Sequence, residues 1–135
     1  MGIYEGFAQF FAKGNYPAYS QRIADALPSL LQELSSKPQD ILDIACGEGT
    51  FAVAMAKQGF RVTGIDQSEA MLKFAKEKAK REGVRVSFRQ QDMQSLAFEE
   101  TFDLATCWFD SLNYLLDLKD VRATFDGVAR ALRPT

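Results

Sequence analysis

Asp43-Ile44-Ala45-Cys46-Gly47-Glu48-Gly49-Thr50 decides the fold of this chain. It follows an apolar pair, Ile41-Leu42, and leads into an alanine-rich stretch, Phe51 to Gln58. A strand that ends in Gly-x-Gly and turns straight into a helix aims bare backbone N–H groups at one point. Glycine permits the turn and lets a ligand approach the main chain closely. Such a turn reads as a nucleotide-cofactor site. Gly47-x-Gly49-x-x-Ala52 also fits the dinucleotide fingerprint, so the glycines alone do not choose the nucleotide.

Outward from this turn, strands and helices alternate. Asp40 to Ala45 reads as the first strand and Thr50 to Gln58 as its helix. Arg61 to Ile65 is the second strand, ending at Asp66. Ser68 can cap a helix from Glu69 to Arg81, which Gly83 stops. Arg85 to Arg89 and Phe102 to Trp108 are the third and fourth strands. Asp117 can cap a last helix, Leu118 to Leu132, with Leu118, Val121, Phe125, Val128 and Leu132 on one face. Ahead of the alternation, the aromatic start Gly2 to Lys13 and the stretch from Tyr16 to about Ser36 are helical; Pro28 predicts a kink or break near Leu27. The pattern predicts an α/β fold with a parallel sheet, right-handed crossovers and helices on both faces.

Composition narrows the function. A net charge of −2 offers no surface for nucleic acid or an anionic membrane. No apolar run is long enough to cross a bilayer. Histidine is absent, which removes the commonest general base and metal ligand, so no metal site is expected. Two cysteines without a secretory signal point to a reducing cytoplasm. Cys46 and Cys107 read as small core residues. The lysines at positions 73, 76, 78 and 80, interleaved with Glu69, Glu77 and Glu82, read as a solvated helix face.

Ligands of an open parallel sheet bind beyond the carboxyl ends of its strands. Gly47 and Gly49 follow strand one, Asp66 ends strand two, Asp92 follows strand three, and Asp110, Ser111 and Asn113 follow strand four. Asp66 follows the glycines at about the ~20-residue interval at which an acid reaches ribose hydroxyls. Asp92 suits an adenine amino group, with the Met93 N–H on a ring nitrogen. Met71 either packs on the adenine face or is plain core. Asp43 would repel a pyrophosphate but suits the ammonium of a methionine tail. The set favours S-adenosylmethionine over a nicotinamide dinucleotide.

Asp43-x-x-Cys46-Gly47-x-Gly49-Thr50, Val62-Thr63-Gly64-Ile65-Asp66-x-Ser68-x-x-Met71-Leu72, Gln91-Asp92-Met93 and Phe102-Asp103-Leu104 resemble the class I S-adenosylmethionine-dependent methyltransferases, small-molecule type. The similarity runs from about Tyr4 to Pro134. It implies a Rossmann-like sheet of order 3-2-1-4 under an N-terminal helical lid, with residues 1–36 as the cap and 37–135 as the cofactor-binding domain. It implies that Asp43, Gly47 and Gly49 hold the methionine part, Asp66 the ribose, and Asp92 with Met93 the adenine. Tyr4-x-x-Phe7-Ala8 and Tyr16 are similar to the family's lid helices, and Asp110-Ser111-Leu112-Asn113-Tyr114-Leu115 to the segment lining the methyl-transfer edge.

Two departures stand out. Phe11-Ala12 occupies the place of a usual Tyr-Asp pair. Ala131-Leu132-Arg133-Pro134 normally leads into a Gly-Gly turn and strands five to seven, so a fragment of a longer methyltransferase is expected. Such a fragment would leave strand four as a bare apolar edge and self-associate through it. The function expected is methyl transfer to a small-molecule acceptor. Asp110, Tyr4 and Tyr16 are the candidate bases if the acceptor must lose a proton. The alternatives are a non-catalytic cofactor-binding or association module and, further off, a nicotinamide-dependent oxidoreductase.

Overall fold

The structure, a computed structural model, describes residues 16–108 and 117–134. Four parallel strands form its sheet: β1 (Asp40–Ile44), β2 (Arg61–Asp66), β3 (Ser87–Gln90) and β4 (Leu104–Cys107), in the order β3-β2-β1-β4. The expected 3-2-1-4 order is therefore present. Helix α1 (Tyr16–Glu33) precedes the sheet; α2 (Thr50–Lys57), α3 (Glu69–Glu82) and α4 (Leu118–Ala131) follow β1, β2 and β4.

Central β1 is apolar on both faces, as a parallel strand between two helical layers must be. Ile41 and Leu42 are both fully buried, on opposite faces. Ile41 and its register partner Val62 join Phe51, Ala52 and Met55 of α2 and Ala24, Leu27 and Leu31 of α1 in one core. Leu42, Ile44 and Ile65 join Leu96, Phe98, Phe102 and Ala131 on the other face.

Of the expected kink or break near Leu27, there is no break: helix α1 runs on through Pro28. Proline has no N–H for the carbonyl one turn back, that of Ala24. The Gln58 side-chain amide supplies the missing donor, reaching the Ala24 oxygen at 3.2 Å. The orphaned carbonyl is thus satisfied from α2, and the helix continues with its apolar stripe intact.

Helix α4 also differs from expectation. Val128 and Leu132 pack on the core as expected, but the buried residues are Thr124, Gly127 and Ala131, while Leu118 and Phe125 are exposed. Gly127 explains the rotation: a Cβ there would stand 3.3 Å from the Leu96 Cβ, so the helix packs through its smallest residues. Strand β4 is shorter than expected because Phe102 pairs with Leu132 instead, and the Phe102 N–H donates to the Ala131 carbonyl at 3.0 Å.

The amino ends of the strands are tied by charge. Arg61 binds both Asp40 oxygens, at 2.7 and 2.9 Å. Arg133 reaches Asp40 at 2.9 Å and Asp103 at 2.8 Å. The backbone N–H groups of Asp40 and Gln39, then Arg133, hold the Asp103 carboxyl down to about 2. This network leaves the opposite, carboxyl end of the sheet to the glycine turn.

Candidate functional site

The turn after β1 is built from left-handed backbone. Ala45, Gly47 and Gly49 have φ of 55°, 58° and 87°. For alanine that conformation costs about 1 kcal/mol or more, a strain that persists only where neighbours enforce it. They do: the Cys46 N–H donates to the Ile65 carbonyl at 2.9 Å, and the Gly49 N–H returns to the Cys46 carbonyl at 3.1 Å.

The two glycines differ in purpose. A Cβ at Gly47 would meet nothing within 4 Å, so that side of the turn is open to a ligand. A Cβ at Gly49 would lie 2.8 Å from the Ala75 Cβ and 3.3 Å from Phe88. Gly49 therefore lets α3 pack against the turn, a role the sequence reading did not give it.

Two carboxylates brace this turn. Asp43 is 2% exposed, and its oxygen accepts from the Thr106 hydroxyl at 2.8 Å. Burial pushes its pKa up to about 7; the Thr106 bond opposes the rise, and the nearby charges of Asp66 and Glu48 add to it. Asp66, at the end of β2, accepts from the Gly47 N–H and the Ser68 N–H, each at 2.9 Å. Asp66 thus fastens the open glycine to the neighbouring strand.

The remaining expected residues flank this pair. Ser68 caps α3 by accepting from the Met71 N–H at 3.2 Å, and Met71 itself is buried. The Gln91 N–H donates to the Asp66 carbonyl at 3.2 Å, which sets the next turn beside the end of β2. There Asp92 is exposed and caps a short 3-10 turn, Met93–Ser95, by accepting from the Gln94 N–H at 2.9 Å. Met93 packs against the second core. Asp110, Ser111, Asn113 and Tyr4 lie outside the described residues, as does the Tyr16 side chain. At the end of β4, Trp108 meets the Phe51 ring edge-on at 5.2 Å.

Sequence reasoning missed one part of the site. Glu48, between the glycines, is buried and accepts from the Thr50 hydroxyl at 2.5 Å. Lys78 of α3 closes an ion pair with Glu48 and donates to Thr50 at 2.5 Å. Lys78 does not belong to the solvated face expected of the α3 lysines. The signal was present: Lys78 continues the Met71–Ala75 stripe that α3 buries.

Cys46 and Cys107 form no disulfide. Burial, with the nearby charge of Asp43, pushes the Cys46 thiol well above its ordinary range, so it is a poor nucleophile. Among the described residues no helix is long and apolar enough to cross a membrane.

Comparison with known proteins agrees with this geometry. A family model described as a methyltransferase domain matches residues 41–135. A candidate methyltransferase of Geobacillus sp. (strain WCH70) is 39% identical over 96% of this chain and 53% of its own length. A ubiquinone biosynthesis O-methyltransferase of Coxiella burnetii is 35% identical over 76% of this chain and 43% of its own. The crystal structure of an S-adenosylmethionine-dependent methyltransferase from Clostridium acetobutylicum superposes with a TM-score of 0.80 at 28% identity, covering 98% of this chain and 54% of that one. The chain spans about half the length of the curated relatives it matches. By the family match and these identities, the chain belongs to the S-adenosylmethionine-dependent methyltransferase family.

Proposed function

We propose that the protein binds S-adenosylmethionine over the glycine turn and takes part in methyl transfer to a small-molecule acceptor. One observation carries this reading: the buried carboxylate of Asp66 holds the open glycine Gly47, and a second buried carboxylate, Asp43, acts on it from the end of β1. Among the described residues no cationic side chain acts on Asp43, and a buried acid so placed suits a ligand ammonium. A carboxylate has about four acceptor positions, so the two N–H groups already on Asp66 are compatible with ribose hydroxyls. The donor set therefore fits the cofactor.

Bound S-adenosylmethionine supplies a methyl group already activated by its positive sulfur. The task left to the chain is alignment and exclusion of water. Asp43, Gly47 and the Gly49 turn hold the amino-acid end, Asp66 the ribose, and Asp92 with Met93 the adenine, with Met71 beneath it. Trp108 and Phe51 wall the end of β4 against solvent. If the acceptor must lose a proton, Asp110, Tyr4 or Tyr16 is the base. Residues 1–36 act as a cap over residues 37–135. The name of the Coxiella relative supports a small-molecule acceptor, and the net charge of −2 supports a partner other than nucleic acid. The reduced cysteines support a cytoplasmic location.

The second reading is a non-catalytic cofactor-binding or association module. It is favoured by the exposed Leu118 and Phe125 on α4, and separately by β4, which lies at one edge of the described sheet and carries no charge. A methyl-transfer assay with labelled S-adenosylmethionine and a panel of small hydroxyl, amine and thiol acceptors tests the first. Turnover with any acceptor supports it; cofactor binding without transfer to any acceptor favours the second.

A further inference from the structure

Three carboxylates crowd one short turn. Asp43 lies beneath it, Asp66 grips Gly47, and Glu48 stands between the glycines; all three are more than nine-tenths buried. Glu48 turns away from the open side of Gly47 and towards α3. It accepts there from the Thr50 hydroxyl and from the Lys78 ammonium, and Lys78 also donates to Thr50. The result is a closed triangle that joins the turn, the first residue of α2 and the middle of α3. Lys73, Lys76 and Lys80 of the same helix remain exposed, whereas the Lys78 side chain is only 19% exposed. Burying an ammonium is unfavourable unless it is paired, so the pair fixes where α3 meets the turn.

The triangle also bears on Asp43. Among the described residues, the groups acting on Asp43 are Thr106 from β4, Asp66 from β2, and Glu48 and the Cys46 thiol from the turn. Helix α2 carries one charged side chain, Lys57, in its last turn, where it pairs with Glu82. Helix α3 acts through Lys78 on Glu48. Without the ammonium, the Glu48 charge would oppose ionisation of Asp43 unscreened.

We propose that Lys78 is a positioning residue for the cofactor turn: paired with Glu48 and Thr50, it pins the turn to α3 and supplies the counter-charge that lets Asp43 ionise when a cationic ligand arrives. The proposal rests on the cofactor reading above. It goes beyond that reading, which gives Lys78 no role.

The test uses Lys78→Met, Lys78→Arg, Glu48→Gln and the Lys78→Met/Glu48→Gln double variant. The first readout needs no ligand: the Asp43 carboxyl carbon is titrated by NMR. The second is calorimetric affinity for S-adenosylhomocysteine between pH 5.5 and 8. Lys78→Met is expected to raise the Asp43 midpoint by about one pH unit, which is a tenfold change in its ionisation constant. It should weaken binding at pH 7 roughly tenfold, within the usual range of coupling between sites. Lys78→Arg should restore both, and the double variant should return the midpoint to or below that of the parent. If Lys78→Met does not fold, Glu48→Gln decides alone, with a lowered midpoint expected. A lowered melting temperature with unchanged midpoint and affinity would overturn the proposal and leave Lys78 as a packing contact. If the parent protein binds no S-adenosylhomocysteine, the cofactor reading falls; the midpoints still decide whether Lys78 sets the charge state of Asp43.

Discussion

Replacing Asp43 with asparagine should stabilise the ligand-free protein at neutral pH while removing the cofactor's anchor. Asp43 ordinarily titrates at 3.8 and, buried under the turn, at about 7. A raised carboxyl pKa means that the folded state holds a proton the unfolded chain has released. Its contribution to stability is complete below pH 3.8, falls as pH rises, and is gone above about 7. The full difference corresponds to roughly 4 kcal/mol at 1.36 kcal/mol per unit, of which about 2–3 kcal/mol falls between pH 5 and 8. Asparagine cannot ionise, and its carbonyl oxygen can still accept from Thr106. Urea unfolding of both proteins at pH 5, 6, 7 and 8 measures the effect. The parent should lose stability across the series relative to Asp43→Asn, and the variant should be the more stable at pH 8. Parallel pH dependences for the two proteins would refute the account of Asp43 as a buried, late-titrating acid. A cation over the turn should draw the proton off, so affinity for S-adenosylmethionine should rise roughly tenfold from pH 6 to 8 in the parent and stay flat in the variant.

Asp66→Ala should weaken S-adenosylhomocysteine binding by ~1.5–3 kcal/mol in calorimetry, because it removes charge-assisted bonds to ribose and the acceptor for the Gly47 N–H; unchanged affinity would sink the ribose role. Gly49→Val should cost at least ~2 kcal/mol in urea unfolding, since its side chain would overlap Ala75 and its φ of 87° excludes a β-branched residue; a near-neutral effect would show that α3 can retreat. Arg133→Ala should lower stability in urea unfolding slightly, and less in high salt, because it breaks a solvent-screened network at Asp40 and Asp103. Asp40 and Asp103 are both held below their ordinary value, so their contribution is present above pH 3.8 and is lost as pH falls, for Asp103 towards about 2.

Local signals carried most of the fold. The parallel sheet followed from strand–helix alternation, its order from the family resemblance, and the caps at Ser68, Gly83 and Asp117 stand where their residue types placed them. The features that escaped depend on partners distant in sequence. Nothing near Pro28 announces that Gln58 will satisfy the Ala24 carbonyl. Nothing in the Leu118–Phe125 stripe announces that Gly127 will pack on Leu96 and turn those side chains outward. Lys78 looked like one of several surface lysines until Glu48 was found buried within its reach. At the turn, the left-handed Gly47 and the acids at Asp43 and Asp66 stand where the strand–turn–helix pattern put them. The separate work of Gly49 was not legible, because Ala75 sits on another helix.

The central claim is that the turn after β1, braced by Asp43 and Asp66, holds S-adenosylmethionine. Calorimetric titration of the protein at pH 7.5 with S-adenosylmethionine, S-adenosylhomocysteine and NAD tests it most directly. One molecule of either sulfur ligand should bind per chain, NAD should give no heat, and Asp66→Ala should weaken both sulfur ligands. Binding of NAD, or no heat from any of the three, would contradict the claim.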